Sequence, residues 1–169
     1  MTSTAYILIG SNLGDREKYL SSAISMIKEI PGLELIDNSS VYSSKAEQMA
    51  SGTPSFLNQA IKVETELKPF ELLTALEQIE QELGRTDKGK QLSRTIDLDI
   101  LLYDTEIVDT ERLTIPHPEL LNRAFALIPL LEIEPTLVHP LTTKRLKNYV
   151  NDEDFKLVRQ KEGNAPVSC

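Results

Sequence analysis

Arg94-Thr95-Ile96-Asp97-Leu98-Asp99-Ile100-Leu101-Leu102 is an apolar, strand-forming run with two carboxylates set two residues apart inside it. In an extended strand successive side chains point to opposite faces, so Asp97 and Asp99 share one face while Ile96, Leu98 and Ile100 take the other. Two like charges on neighbouring positions of one face of a largely buried strand are costly unless positive charge compensates them. A hard divalent cation does this well, and magnesium is commonly held by one or two carboxylates together with substrate phosphates. An enzyme that handles a polyphosphate is the first expectation. The plain alternative is an edge strand with two aspartates facing water.

The surroundings weigh against that alternative. From Arg85 to Arg94 the basic residues Arg85, Lys88, Lys90 and Arg94 stand against the single acid Asp87, in a chain whose formal net charge is −8. A cationic arm beside a carboxylate pair, on an otherwise acidic protein, suits a metal-bound anion. Arg112, His117 and Arg123 add donors downstream. The overall negative charge opposes extended binding to nucleic acid or anionic membranes.

At 169 residues, 40% apolar and 26% charged, the chain has the composition of one ordinary globular domain. The longest apolar run, Ala124 to Leu131, contains Pro129 and is far short of the ~20 residues of a membrane span. The N-terminus lacks the pattern of a secretory signal. A lone cysteine, Cys169, excludes an internal disulfide, and with two histidines the chain has too few ligands for a zinc site. The cytoplasm is the expected compartment, and a monomer the expected state.

Ala5 to Ile9 reads as a buried strand closed by a Gly10-Ser11-Asn12-Leu13-Gly14 turn. That turn fails the spacing of a phosphate-binding loop and lacks its lysine. Asp15 is a plausible N-cap for a helix over about 16–30, stopped by Pro31-Gly32. A second strand is expected over about 33–42, then a polar loop over 43–54, then a third strand over about 56–66. Pro69 opens a second helix that Gly84 ends. After the basic arm come the carboxylate strand to Tyr103, an Asp104-Thr105 turn, a short segment through Ile107-Val108 and a short helix over about 119–131. The order β-α-β-β-α-β describes a ferredoxin-like α+β sandwich, with a mostly antiparallel sheet and both helices on one face. Residues 1–150 are expected to form the domain, and 151–169 a C-terminal tail, weakly structured at its end.

Taken together, Ala5 to Gly14, Phe56-Leu57-Asn58, Arg94 to Leu101, and Pro116-His117-Pro118 with Asn122-Arg123 resemble 6-hydroxymethyl-7,8-dihydropterin pyrophosphokinases. The resemblance runs from about residue 4 to residue 140, in the family's order and spacing. It implies transfer of the terminal pyrophosphate of ATP onto a pterin hydroxymethyl group, with AMP as the other product, in folate biosynthesis. Asp97 and Asp99 match the carboxylates that bridge two magnesium ions on the ATP phosphates. Arg94, Lys88 and Arg123 match cationic polyphosphate contacts, and His117 a histidine that bonds a phosphate oxygen. Arg112, Thr114 and Ile100 lie where the family contacts ATP, and Glu80 matches a helix glutamate near the nucleotide.

On the pterin side, a flat bicyclic ring wants aromatic faces and an amide at its polar edge. Phe56 and Phe125 match the family's stacking aromatics and Asn58 its pterin-binding asparagine; groups near Ser44 to Glu47 complete that edge. Composition alone would class both phenylalanines as core.

The chain also departs from the family. Lys90-Gln91-Leu92-Ser93-Arg94 is one residue shorter than the usual arm and lacks its tryptophan, with Leu92 a candidate apolar substitute. Asp87 stands where a second basic residue is common, Lys45 where proline is, and Glu77 where some members carry glutamine. The segments 43–54 and 85–93 are expected to act as lids that exclude water. Two other readings remain open on sequence: a different magnesium-dependent phosphoryl or nucleotidyl transferase, and a non-catalytic ferredoxin-like ligand-binding module.

Overall fold

A computed structural model describes residues 2–11, 15–44, 56–84 and 96–160. The first strand, β1 (Ser3–Ser11), lies in the middle of the sheet. Its apolar run is unbroken because both faces are covered: Ala5, Ile7 and Ile9 enter one core, Tyr6 and Leu8 another. Helix α1 (Arg16–Lys28) follows, with the Asp15 carboxylate accepting from the Lys18 N–H at 3.2 Å, as the N-cap reading expects.

The expected strand over 33–42 is two strands, β2 (Leu33–Asn38) and β3 (Tyr42–Ser44), separated by Ser39 to Val41. The break is a polar knot. Buried Ser39 bonds the main chain of Ala60 twice, accepting its N–H on the side-chain Oγ at 3.0 Å and donating its own main-chain N–H to the Ala60 carbonyl at 2.8 Å. Its carbonyl accepts from Gln59 Nε2 at 2.8 Å. The signal was present in Asp37-Asn38-Ser39-Ser40, four residues that favour turns over strand interiors.

Strand β4 (Phe56–Thr65) pairs with β1 on one side and with both β2 and β3 on the other. Helix α2 (Pro69–Gly84) begins and ends on the expected residues. The carboxylate strand β5 (Asp97–Tyr103) pairs with the outer side of β1. Two short strands, β6 (Val108–Asp109) and β7 (Thr114–Ile115), form a separate hairpin. A 3-10 turn (Leu120–Asn122) then leads into α3 (Ala124–Ile133).

All these pairings are antiparallel and the order is β5-β1-β4 followed by β2 and β3, the ferredoxin-like arrangement. Helices α1 and α2 cover one face through Leu20, Ala23, Ile27, Leu72, Leu76 and Ile79. The opposite face is not bare. Leu120, Ala126, Leu127 and Leu130 cover it, together with Leu146 of a second 3-10 turn. A register shift between Tyr6 and Ile7 leaves Leu101 as the extra residue on β5, so Leu101 and Leu102 both enter this second core while Tyr103 returns to the first.

The first part of the expected C-terminal tail forms secondary structure. Asp152–Leu157 forms a short helix, α4, and Val158–Gln160 forms β8, which pairs antiparallel with β3. The residues beyond it lie outside the described part of the chain.

Candidate active site

A row of residues crosses the sheet at one level. Asp97 of β5 pairs with Gly10 of β1, Gly10 with Asn58 of β4, and Asn58 with Tyr42 of β3. In the next row on the same face, Asp99 pairs with Leu8, and Leu8 with Ala60. Because Gly10 has no side chain, the row is hollow between Asp97 and Asn58. A Cβ placed on Gly10 would stand 2.8 Å from Asn58 Oδ1. The hollow opens into a cleft of about 500 Å³, walled by Ser44, Phe56 and Asn58 on one side and by Arg123 and Phe125 at the start of α3 on the other.

Gly10 is the residue that the sequence reading misplaced. It belongs to β1, not to a turn after it, and its smallness shapes the cleft. A glycine followed by a strand-compatible serine, in register with an asparagine, is a signal visible only once the pairing is known.

Asp97 and Asp99 are half-buried on the cleft face, alternating with the buried Ile96, Leu98 and Ile100 of the helix-side core. The alternation argued from sequence therefore holds. Glu80 of α2 accepts the Leu98 N–H at 2.7 Å, fixing the main chain between the two aspartates. His117 holds the same strand from outside by donating its N–H to the Leu101 carbonyl at 3.0 Å. Its Nδ1 accepts from the Glu119 N–H at 3.1 Å, which leaves Nε2 to carry the ring proton in the neutral form. Burial pushes the imidazole pKa down; Asp99 opposes that shift and Arg123 reinforces it.

Arg123 lies over the Phe125 ring, 5.6 Å from its centroid, a cation–π arrangement that holds the guanidinium at the cleft wall. Phe56 and Phe125 are half-buried, unlike the fully enclosed aliphatics around them, so each presents ring surface to the cleft. Asn58 is only 3% exposed and still lines it.

Of the residues expected from sequence, Asp97, Asp99, Ser44, Phe56, Asn58, Arg123 and Phe125 line this one cleft. Glu80, Ile100, Arg112, Thr114 and His117 do not. Arg112 is exposed and reaches Glu77 Oε1 at 2.8 Å and Thr74 Oγ1 at 3.1 Å on α2, while Thr114 Oγ1 donates to the Thr110 carbonyl at 3.2 Å. Ile100 turns its side chain into the helix-side core, so only its main chain is open to a role in binding. Arg94, Lys88 and Glu47, and the proposed lids apart from Ser43 and Ser44, lie outside the described residues. Sequence reasoning missed Leu8, Gly10, Asn122, Ala124, Asp154 and Val158 as lining residues.

Fold and cleft together define a ferredoxin-like α+β protein whose site sets a strand-borne carboxylate pair beside a cation and two aromatic faces. Such a site suits a metal-bound polyphosphate next to a flat ring. The family model for 7,8-dihydro-6-hydroxymethylpterin-pyrophosphokinase matches residues 6–135, and the chain belongs to that family. A 2-amino-4-hydroxy-6-hydroxymethyldihydropteridine pyrophosphokinase of Aquifex aeolicus is 42% identical over 154 residues, covering 91% of this chain and 94% of that one. The Bacillus subtilis protein of the same name is 39% identical over 166 residues, covering 96% and 95%. Among solved structures, Plasmodium falciparum HPPK-DHPS with pterin and p-hydroxybenzoate aligns with a TM-score of 0.72 over 95% of this chain and 46% of that one. At 14% identity, that match bears on the fold alone.

Proposed function

We propose that the protein transfers pyrophosphate from ATP to the hydroxymethyl group of 6-hydroxymethyl-7,8-dihydropterin, releasing AMP, as a step of folate biosynthesis. The observation that carries the reading is the placement of Asp97 and Asp99, side by side on the cleft face, within the same cleft as Phe56, Asn58 and Phe125. Family membership supports both the activity and the use of ATP with Mg2+.

The donor set fits magnesium. Two half-buried carboxylates face an open cleft, and no cluster of three or more ligating side chains among the described residues completes a closed protein cage. That leaves coordination positions for phosphate oxygens and water, as magnesium requires. Asp97 and Asp99 would hold two ions, whose charge offsets that of the triphosphate and favours in-line attack at the β-phosphorus.

The remaining work is positioning. Arg123, with Arg94 and Lys88 of the basic arm, offsets the negative charge of the polyphosphate. The Nε2–H of neutral His117 is a donor suited to a phosphate oxygen. Phe56 and Phe125 sandwich the pterin, Asn58 and groups near Ser44 and Glu47 bond its edge, and the hydroxymethyl oxygen is thereby aimed towards the aspartates. Glu80, Ile100, Arg112 and Thr114 contribute to the nucleotide side, Glu80 by way of the Leu98 N–H it holds.

The deciding test is incubation with Mg-ATP and 6-hydroxymethyl-7,8-dihydropterin, followed by separation of the nucleotides. Pterin-dependent AMP without ADP is the expected result. ADP in its place would mean a simple kinase, and binding without turnover would mean a ligand-binding module.

A further inference from the structure

The C-terminal pair α4–β8 stands against the proposed pterin end of the cleft. Val158 pairs with Ser44 across β8 and β3, and Ser44 pairs with Phe56 across β3 and β4, so the three lie in one row at the edge of the site. Both Val158 and Asp154 line the cleft. Val158 is 5% exposed and offers an apolar edge.

Asp154 offers something different. It closes a capping box: Asn151 Oδ1 accepts the Asp154 N–H at 3.0 Å, and Asp154 Oδ2 accepts the Asn151 N–H at 2.9 Å. The box fixes the carboxylate. It engages Oδ2, while Oδ1 takes no hydrogen bond from any described residue. A held, half-buried carboxylate with a spare acceptor oxygen, beside two aromatic faces and an amide, suits a flat heterocycle that carries N–H donors. It does not suit the polyphosphate, which would be repelled.

We propose that α4 and β8 form the closing wall of the pterin pocket, and that Asp154 is a specificity-determining residue whose Oδ1 accepts an N–H of the pterin 2-amino group. The assignment rests on the pyrophosphokinase reading above. It places in the substrate pocket a chain segment that carries no motif of its own.

The test uses the full chain, the wild type and Asp154→Ala, with Asp154→Asn as the variant that keeps an acceptor for the Asn151 N–H and so preserves the capping box. Binding is measured for 6-hydroxymethylpterin and for its analogue lacking the 2-amino group, alongside steady-state kinetics with the dihydropterin. Loss of a charge-assisted hydrogen bond predicts about ten-fold weaker binding of 6-hydroxymethylpterin by Asp154→Ala, with the analogue bound equally by both proteins. KM for the pterin should rise by a similar factor, while KM for ATP and kcat stay within about two-fold. Asp154→Asn should melt like the wild type and still lose discrimination between the two ligands. Equal weakening of both ligands would mean that Asp154 acts only by holding α4 and would overturn the proposal, as would unchanged pterin binding. A wild type that made no pterin-dependent AMP would overturn the functional reading itself, and this assignment with it.

Discussion

Asp97 and Asp99 are held half-buried on a strand whose next residues, Leu98 and Ile100, are sealed in a core, so neither carboxylate can withdraw far from the other. Replacing either with Asn removes one of two neighbouring like charges and half of the metal-binding pair. Turnover should fall by at least ~10²-fold, as expected when an electrostatic element of a phosphoryl-transfer site is lost. For Asp99→Asn the melting midpoint should hold or rise, because repulsion between the two carboxylates is relieved. Near-normal AMP release by either variant would refute the metal assignment. Gly10 makes the complementary case. Gly10→Ala would set a methyl group 2.8 Å from Asn58 Oδ1 and force that amide to move. The expected consequence is a several-fold rise in KM for the pterin with KM for ATP little changed, measurable in the same assay. The carboxylates were legible from sequence because strand alternation alone puts them together. The role of Gly10 was not, because it depends on a partner 48 positions away across β1 and β4.

Strand β5 shows how elements, rather than single residues, keep the site in place. Among the described residues it pairs only with β1, so one edge would be bare without other partners. Glu80 of α2 and the main chain of His117 cover that edge, one at Leu98 and the other at Leu101. The Glu80 carboxylate thus ties a helix to the peptide between the two aspartates. Glu80→Ala should leave the Leu98 N–H without this acceptor and shift the strand, lowering kcat more than it raises KM for ATP. Glu80→Gln keeps an acceptor oxygen and should restore most of the rate. If both variants behaved alike, charge rather than strand geometry would be what Glu80 supplies. The same logic governs β3, whose approach is fixed by Glu132 of α3: its carboxylate accepts from the Ser40 N–H at 3.0 Å, Ser40 Oγ at 2.9 Å and the Tyr42 hydroxyl at 2.8 Å. Burial, reinforced by this bond to Glu132, pushes the Tyr42 pKa up and keeps the phenol protonated as the donor. Helices and long strands were readable from periodicity. The split of β2 from β3 shows in turn-favouring residues rather than in periodicity, and the three-residue β8 shows in neither, since pairings this short are decided by their neighbours.

At the scale of the whole molecule, the strands β1, β4 and β5 are covered on both faces, and the face away from α1 and α2 depends on irregular segments. The ferredoxin-like order was legible, but the second core was not, because 3-10 turns and a short helix carry little periodic signal. His139 organises the last of these segments. It is 5% exposed, its Nδ1 accepts the N–H groups of Leu141 and Thr142 at 3.2 and 3.3 Å, and its own N–H donates to the Lys144 carbonyl at 2.9 Å. Leu146, which follows this turn, is fully buried in the second core. Protonating Nδ1 would break both bonds, and burial already lowers the His139 pKa from its ordinary 6.5. The unfolded chain therefore takes up a proton at a pH where the folded chain does not. The stability this site contributes is complete above about pH 6.5 and is lost as the pH falls from there towards the lowered folded-state pKa. His117, also lowered chiefly by burial, acts in the same direction. Thermal melts between pH 8 and pH 5 should show a falling midpoint below about pH 6.5. His139→Asn keeps an acceptor oxygen near the Nδ1 position and cannot titrate, so its profile should be flatter than that of the wild type. Identical profiles for the two proteins would show that the acid-sensitive contact lies elsewhere and that the His139 turn does not couple the second core to pH.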